Sequence, residues 1–166
     1  GPEMKSTGEA MGIDQSFGIA FYKAQESVGN KLPLKGGVFL SLRDEDKARI
    51  LASVNVLNSL GFTFYGTRGT AQFFEKHGIS VTRVNKQMEG AENTVTLTWK
   101  SQFQFILNVA DNRDVTEGYY LRRAAFLNRI PYVTTVRGFD AIAEALKCIH
   151  LTQGGYDVRS LGEWIY

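Results

Sequence analysis

From residue 37 to residue 149, short apolar runs alternate with amphipathic, helix-like stretches, and few folds accommodate that order. Gly37 to Leu42 reads as a buried strand, and Phe62 to Tyr65, Ile79 to Val84, Phe103 to Val109 and, after Pro131, Tyr132 to Val136 read as four more. After Arg43-Asp44-Glu45-Asp46-Lys47 a helix runs to Leu60 on a stripe of Ile50, Leu51, Val54, Leu57 and Leu60, and Gly61 ends it. A short helix follows from Thr70 to His77, with Gly78 as its stop. Two further helices are expected over 114–128, where Asp114 and Glu117 have capping-box spacing, and over 140–149. Strands separated by helices pair in parallel and bury both sheet faces, so residues 35–150 are expected to form a three-layer α/β domain.

The segment Asn93-Thr94-Val95-Thr96-Leu97-Thr98-Trp99-Lys100 alternates like a strand. Its place between two parallel strands asks for a crossover helix, and both readings stay open at this point. Ahead of the domain, residues 1–12 are glycine-rich and read as coil. A helix is expected from Asp14 to Val28, with Phe17, Phe21 and Ala24 on one face, Asp14 as N-cap and Gly29 as stop.

Composition excludes several classes of function. The chain of 166 residues is about one domain by length, and 43% hydrophobic with 22% charged residues agrees with a soluble globular protein. A net charge of +2 without a run of like charges argues against a nucleic-acid surface. No apolar segment approaches the roughly 20 residues that span a bilayer, and the first residues do not resemble a secretory signal. Cys148, the single cysteine, lies in a helix-like stretch and cannot close a disulfide within the chain. The expectation is a reduced, cytoplasmic protein, neither exported nor held in a membrane.

In open parallel sheets, ligands bind outside the carboxyl ends of the strands. Polar residues collect there: Lys47 after the first strand, Thr67 and Thr70 after the second, Lys86 after the third, and Asn108 to Arg113 after the fourth. The loop Gly66-Thr67-Arg68-Gly69-Thr70 bends on glycine into a helix N-terminus, where free N–H groups and the helix dipole favour an anion. Two lysines supply point charges for a phosphate, the threonines direct hydrogen bonds, and Arg113 can contact it bidentately. Asn108 offers both a donor and an acceptor for a ribose hydroxyl or an amide.

Each residue also has a plainer reading. Lys47 can be a solvated first-turn residue, Thr70 an N-cap, Lys86 a loop lysine, and Arg113 a partner of Asp111 or Asp114. His77 and His150 fit capping or surface roles, and no histidine and carboxylate pair has metal-ligand spacing. Tyr119 and Tyr120 either flank a nucleobase or pack in the core, with the core as the default. Arg122 and Arg123, on the same helix, either meet a partner chain or form a surface pair.

Ser41-Leu42-Arg43-Asp44-Glu45-Asp46-Lys47, Gly66-Thr67-Arg68-Gly69-Thr70, Val84-Asn85-Lys86 with Glu89-Gly90, Ile106-Leu107-Asn108 and Leu121-Arg122-Arg123-Ala124-Ala125 resemble the methylglyoxal-synthase-like domain that ends the large chain of carbamoyl-phosphate synthase. Lys5-Ser6-Thr7-Gly8-Glu9, with Met11-Gly12, resembles the tail of the preceding ATP-grasp domain. The resemblance implies a Rossmann-like three-layer fold, a preceding-domain tail and connecting helix over 1–34, and a regulatory domain over 35–166. It implies no catalysis and no cofactor in this domain, which binds a UMP-like or IMP-like effector through phosphate contacts at Lys47, Thr67, Thr70 and Lys86 and a nucleoside contact at Asn108; Gly69 and Arg113 join this expected site from the reading of the loops themselves. The parent of that family makes carbamoyl phosphate for pyrimidine and arginine synthesis from bicarbonate, glutamine-derived ammonia and ATP, with Mg or Mn. The implied partners are the ATP-grasp domains, the glutaminase small subunit, the nucleotide and a homo-oligomeric contact.

Two departures from the family pattern stand out. Val109-Ala110-Asp111-Asn112 stands where bacterial members carry small hydroxyl residues, and residues 93–100 stand where they carry a clear helix. Methylglyoxal synthase, which shares the fold, uses a carboxylate in a Gly-Gly-Asp loop after the third strand. Here that loop reads Asn85-Lys86-Gln87-Met88-Glu89-Gly90, which speaks against lyase chemistry. A third reading is a structural or oligomerisation role with a degenerate pocket.

Overall fold

The protein is described as a computed structural model covering residues 32–109 and 115–153, with Ala20 and Lys23 ahead of them. The remainder of the expected helix over 14–28, Arg113 and the Asp114 cap lie outside the described residues.

Five strands form a wholly parallel sheet in the order β3-β2-β1-β4-β5. They are β1 (Gly37–Ser41), β2 (Thr63–Gly66), β3 (Val81–Arg83), β4 (Phe105–Asn108) and β5 (Tyr132–Val133). The helices are α1 (Asp44–Lys47), α2 (Leu51–Ser59), α3 (Arg68–Lys76), α4 (Thr94–Trp99), α5 (Val115–Leu127) and α6 (Val136–Gln153). A 3-10 turn over Ala48–Ile50 joins α1 to α2, so the expected single helix ending at Leu60 is broken into pieces.

Alternation along the strands sorts the core into two layers. Val38 and Leu40 of β1, Phe64 of β2, and Phe105 and Leu107 of β4 pack on one face against Val54 and Leu57 of α2, Phe74 of α3, and Phe139, Ile142 and Leu146 of α6. Phe39 and Ile106 point the other way, against Leu121 and Ala125 of α5 and the flanking Phe103, with Leu97 of α4 beside them. The three-layer α/β architecture expected from the alternation is therefore the one observed. Leu32 is buried and Leu34 packs against the larger cluster, while His150 bonds the Leu34 carbonyl at 3.1 Å through Nε2.

The ambiguous segment 93–100 is a helix, which also corrects the expectation that this chain lacks the family's helix there. Asn93 accepts from the Val95 and Thr96 N–H groups, both at 3.0 Å, and Thr96 Oγ1 accepts from the Asn93 N–H at 2.9 Å. That reciprocal box and the connection between parallel strands outweigh the β-propensity of threonine and valine. Other boundaries move as well. Helix α3 opens at Arg68 instead of Thr70, β5 stops at Val133, and α6 begins at Val136 instead of Asp140.

Candidate functional site

The strand order reverses direction between β1 and β4, and parallel register brings Ser41 beside Asn108 at the carboxyl edge. A crevice opens at such a switch point because the connecting helices leave to opposite sides. Here it is a cavity of about 550 Å³.

One corner is built by the loops after β1 and β2. Asp46 is buried and receives Arg43 through Nη2 at 2.8 Å and Arg49 through Nη1 at 3.1 Å, which fixes the short helix α1. That placement carries Lys47 inward: its side chain is 7% exposed, and its Nζ meets Asp44 Oδ1 at 2.6 Å. Lys47 Nζ also lies 3.2 Å from where a Cβ on Gly69 would stand, so the ammonium rests on the glycine face of the first turn of α3. Thr67 is the N-cap of α3 with extended backbone, and its side chain makes no capping bond. The first N–H groups of a helix have no acceptor within it, so this corner presents donors and an ammonium together. Thr70 is buried inside that turn, which disposes of its reading as an N-cap. Lys47 is likewise not the solvated residue of its plainer reading.

A second wall comes from the loop after β3. Lys86 is half-buried and lines the cavity. Its backbone N–H donates to Glu89 Oε1 at 2.6 Å. The Glu117 carboxylate of α5 accepts the Gln87 N–H, at 2.9 and 3.0 Å to its two oxygens, and the Thr94 hydroxyl. Glu117 is thus engaged with the loop after β3, while the Asp114 half of the expected capping box lies outside the described residues.

The far wall combines β4, β5 and α5. Asn108 Nδ2 donates to the Tyr132 hydroxyl at 2.8 Å, and Arg122 stacks 5.7 Å from the Tyr132 ring centre. Burial pushes the Tyr132 phenol above its ordinary range, against smaller opposing effects of Asn108 and Arg122. Tyr119 and Tyr120 are both exposed and meet edge to face, and Tyr119 reaches the cavity rim. Their default assignment to the core is therefore corrected: the buried positions of α5 are Leu121, Ala124 and Ala125. Val109 also lines the cavity, while Ala110, Asp111 and Asn112 lie outside the described residues.

Of the residues singled out in the sequence, Lys47, Thr67, Gly69, Thr70, Lys86 and Asn108 all line this one cavity, and Arg113 lies outside the described residues. More cations line it (Arg43, Lys47, Arg68, Lys86, Arg122) than carboxylates (Asp44, Glu89, Glu117), a balance that suits an anion. Sequence reasoning assigned no site role to Glu117, Thr94 or Tyr132. Tyr132 reaches the site because β5 is short and its register with β4 sets it opposite Ile106, two positions before Asn108. Among the described residues no group of three His, Cys, Asp or Glu side chains is placed to hold a metal. Cys148 is buried, and that burial raises its thiol pKa, so it is not a nucleophile in waiting.

A wholly parallel three-layer sheet with a cation-rich cavity at its switch point defines an open-sheet α/β domain. The chain belongs to the MGS-like domain family, whose model matches residues 49–134. Over 98% of its length it is 43% identical to the carbamoyl phosphate synthase large chain, C-terminal section, of Aquifex aeolicus (strain VF5), spanning 31% of that protein. The corresponding section from Methanocaldococcus jannaschii is also 43% identical over 98% of this chain, which covers 26% of it. The carbamoyl phosphate synthase large chain of Rhizobium meliloti (strain 1021) is 41% identical over 97% of this chain, which covers 14% of it. The chain thus spans at most about a third of these relatives. Among the described residues no helix is long and apolar enough to cross a membrane.

Proposed function

We propose that this chain is the effector-binding regulatory domain of a carbamoyl phosphate synthase large chain, and that its cavity takes a nucleoside monophosphate. The observation that carries this reading is the corner where Lys47 Nζ rests against Gly69 at the N-terminus of α3, with Thr67, Thr70 and Lys86 on the same cavity. A phosphate there meets an ammonium, backbone N–H groups and hydroxyls at once. Asn108 lines the same cavity and offers a donor and an acceptor for a ribose hydroxyl, and the aromatic far wall suits a base. Regulation follows if the nucleotide binds one conformational state of the parent better than another.

On this reading the chain itself performs no chemistry. ATP, with Mg or Mn, and the glutaminase subunit belong to other parts of a cytoplasmic ligase serving pyrimidine and arginine synthesis, and residues 1–34 are the tail of its preceding ATP-grasp domain and a connecting helix. Isothermal titration of this chain with UMP and with IMP tests the proposal. Saturable binding of either in the micromolar range is expected, and no heat from either at millimolar concentration would falsify it. A structural role with a degenerate pocket has one observation in its favour, the apolar Val109 on the cavity wall. It predicts that heatless outcome.

A further inference from the structure

The loop that carries Lys86 is held at two levels. From within, Asn93 Nδ2 donates to the Gly90 carbonyl at 2.9 Å, and the Thr94 N–H donates to the Asn85 carbonyl at 2.9 Å, so residues 85–94 close on themselves. From outside, the loop is tied to another element by Glu117 of α5. Both carboxylate oxygens sit on the Gln87 N–H at 2.9 and 3.0 Å, and one also accepts from the Thr94 hydroxyl. Gln87 is the residue after Lys86, and Thr94 opens α4, so one carboxylate spans the loop's exit from the sheet and its entry into the next helix.

Glu117 also lines the cavity, and a carboxylate beside an anion site invites two simpler explanations. It could repel the phosphate by charge, or it could bond the ligand directly. The geometry points to a third role. Both oxygens already accept from donors of the loop, and hydrogen bonds to a charged acceptor are about twice as strong as neutral ones. We infer that Glu117 is a positioning residue: it holds the backbone at Gln87 so that Lys86 stands on the cavity, and phosphate affinity depends on its reach more than on its charge. This role rests on the proposed phosphate site but concerns a residue outside that set.

Reach and charge separate in two conservative variants. Glu117→Asp keeps the charge and shortens the side chain by one methylene, so it cannot span Gln87 and Thr94 together. Glu117→Gln loses the charge and keeps an oxygen at the same distance. Titration calorimetry with UMP and with ribose 5-phosphate is measured on both variants, on Lys86→Ala and on the double variant Glu117→Asp/Lys86→Ala. Amide exchange at Gln87 reports the tie without ligand.

Expected for Glu117→Asp is a loss of roughly tenfold, the order set by a charge-assisted hydrogen bond, equal for both ligands and absent once Lys86 is alanine. Gln87 exchange should quicken in the same variant, and Glu117→Gln should stay within about threefold of the parent. Tighter binding by Glu117→Gln with Glu117→Asp unchanged overturns the proposal in favour of charge repulsion. A loss confined to UMP overturns it in favour of direct contact. Failure of the parent chain to bind either ligand removes the phosphate site itself, and unchanged Gln87 exchange in Glu117→Asp then removes the tie as well.

Discussion

The two ends of the cavity are built by opposite means. At the corner of Lys47, Gly69 and Thr70 every group is fixed by burial and backbone: a lysine 7% exposed, a glycine that admits its ammonium, and a threonine buried in the first turn of α3. At the rim formed by α5, Tyr119 is 60% exposed and Arg122 lies on the surface over Tyr132. A site with one rigid and one open end holds the common part of its ligands firmly and reads the variable part weakly. For a nucleotide the common part is the phosphate.

Lys47→Met breaks the rigid end most directly. UMP affinity measured by calorimetry should fall by about 10- to 100-fold, the range of a charge-assisted hydrogen bond lost from a partly desolvated site. Stability should change little, because the partner left behind, Asp44, has a side chain that is 96% exposed and stays solvated. If Lys47→Met binds as the parent does, the comparison between the ends collapses.

Gly69→Ala sharpens it, because affinity and stability should move in opposite directions. The added methyl would stand 3.2 Å from Lys47 Nζ, so the ammonium must yield and affinity should drop several-fold, on the order of a weakened charged hydrogen bond. Gly69 lies in the first turn of α3 and has no positive φ, so alanine should raise stability by up to about 1 kcal/mol. Thermal denaturation without ligand and titration with UMP read the two effects separately.

The rigid end was also the legible end. Lys47, Thr67, Gly69 and Thr70 could be placed because the strand-helix alternation predicts the carboxyl edge, and the glycine-bearing loop announces a helix N-terminus. What the sequence hid depends on contacts between distant segments. Glu117 has ordinary capping-box spacing, and nothing in its neighbourhood tells that its carboxylate reaches Gln87, thirty positions away. The burial of Lys47 depends likewise on Asp46 being claimed by two arginines, which charge spacing alone leaves open. Residues 93–100 misled because threonine and valine favour strands, whereas Asn93 and Thr96 supply a local box that decides for the helix. The tyrosines of α5 misled for the opposite reason: aromatic residues default to cores, and here alanine and leucine already fill the buried face.

At the open end effects should be smaller and confined to the ligand's variable part. Tyr119→Ala should weaken UMP by a few-fold, at the low end of what a base stacked on an exposed aromatic contributes, and leave ribose 5-phosphate unchanged. An equal loss with both ligands would mean that Tyr119 supports the phosphate end as well, and the division between the ends would fail.

Tyr132 tests the open end through pH, with the smallest expected effect. Burial raises its phenol above the ordinary value of 10.0, more than the Asn108 bond and Arg122 lower it. Above pH 10 the unfolded tyrosine therefore loses its proton while the folded one keeps it, so the native state binds more protons and stability falls as pH rises through that window. Below pH 10 both states carry the proton, and this contribution is flat. Tyr132→Phe removes the group that titrates, so denaturant midpoints for the variant should decline less steeply than the parent's above pH 10 and run parallel to them between pH 6 and 9. The variant also deprives Asn108 Nδ2 of its acceptor, a cost of about 1 kcal/mol at a half-buried amide that lowers both branches alike. A parallel displacement across the whole range, with no convergence in alkali, would mean that the phenol is hydrated in solution, and that the open end extends deeper than Tyr132.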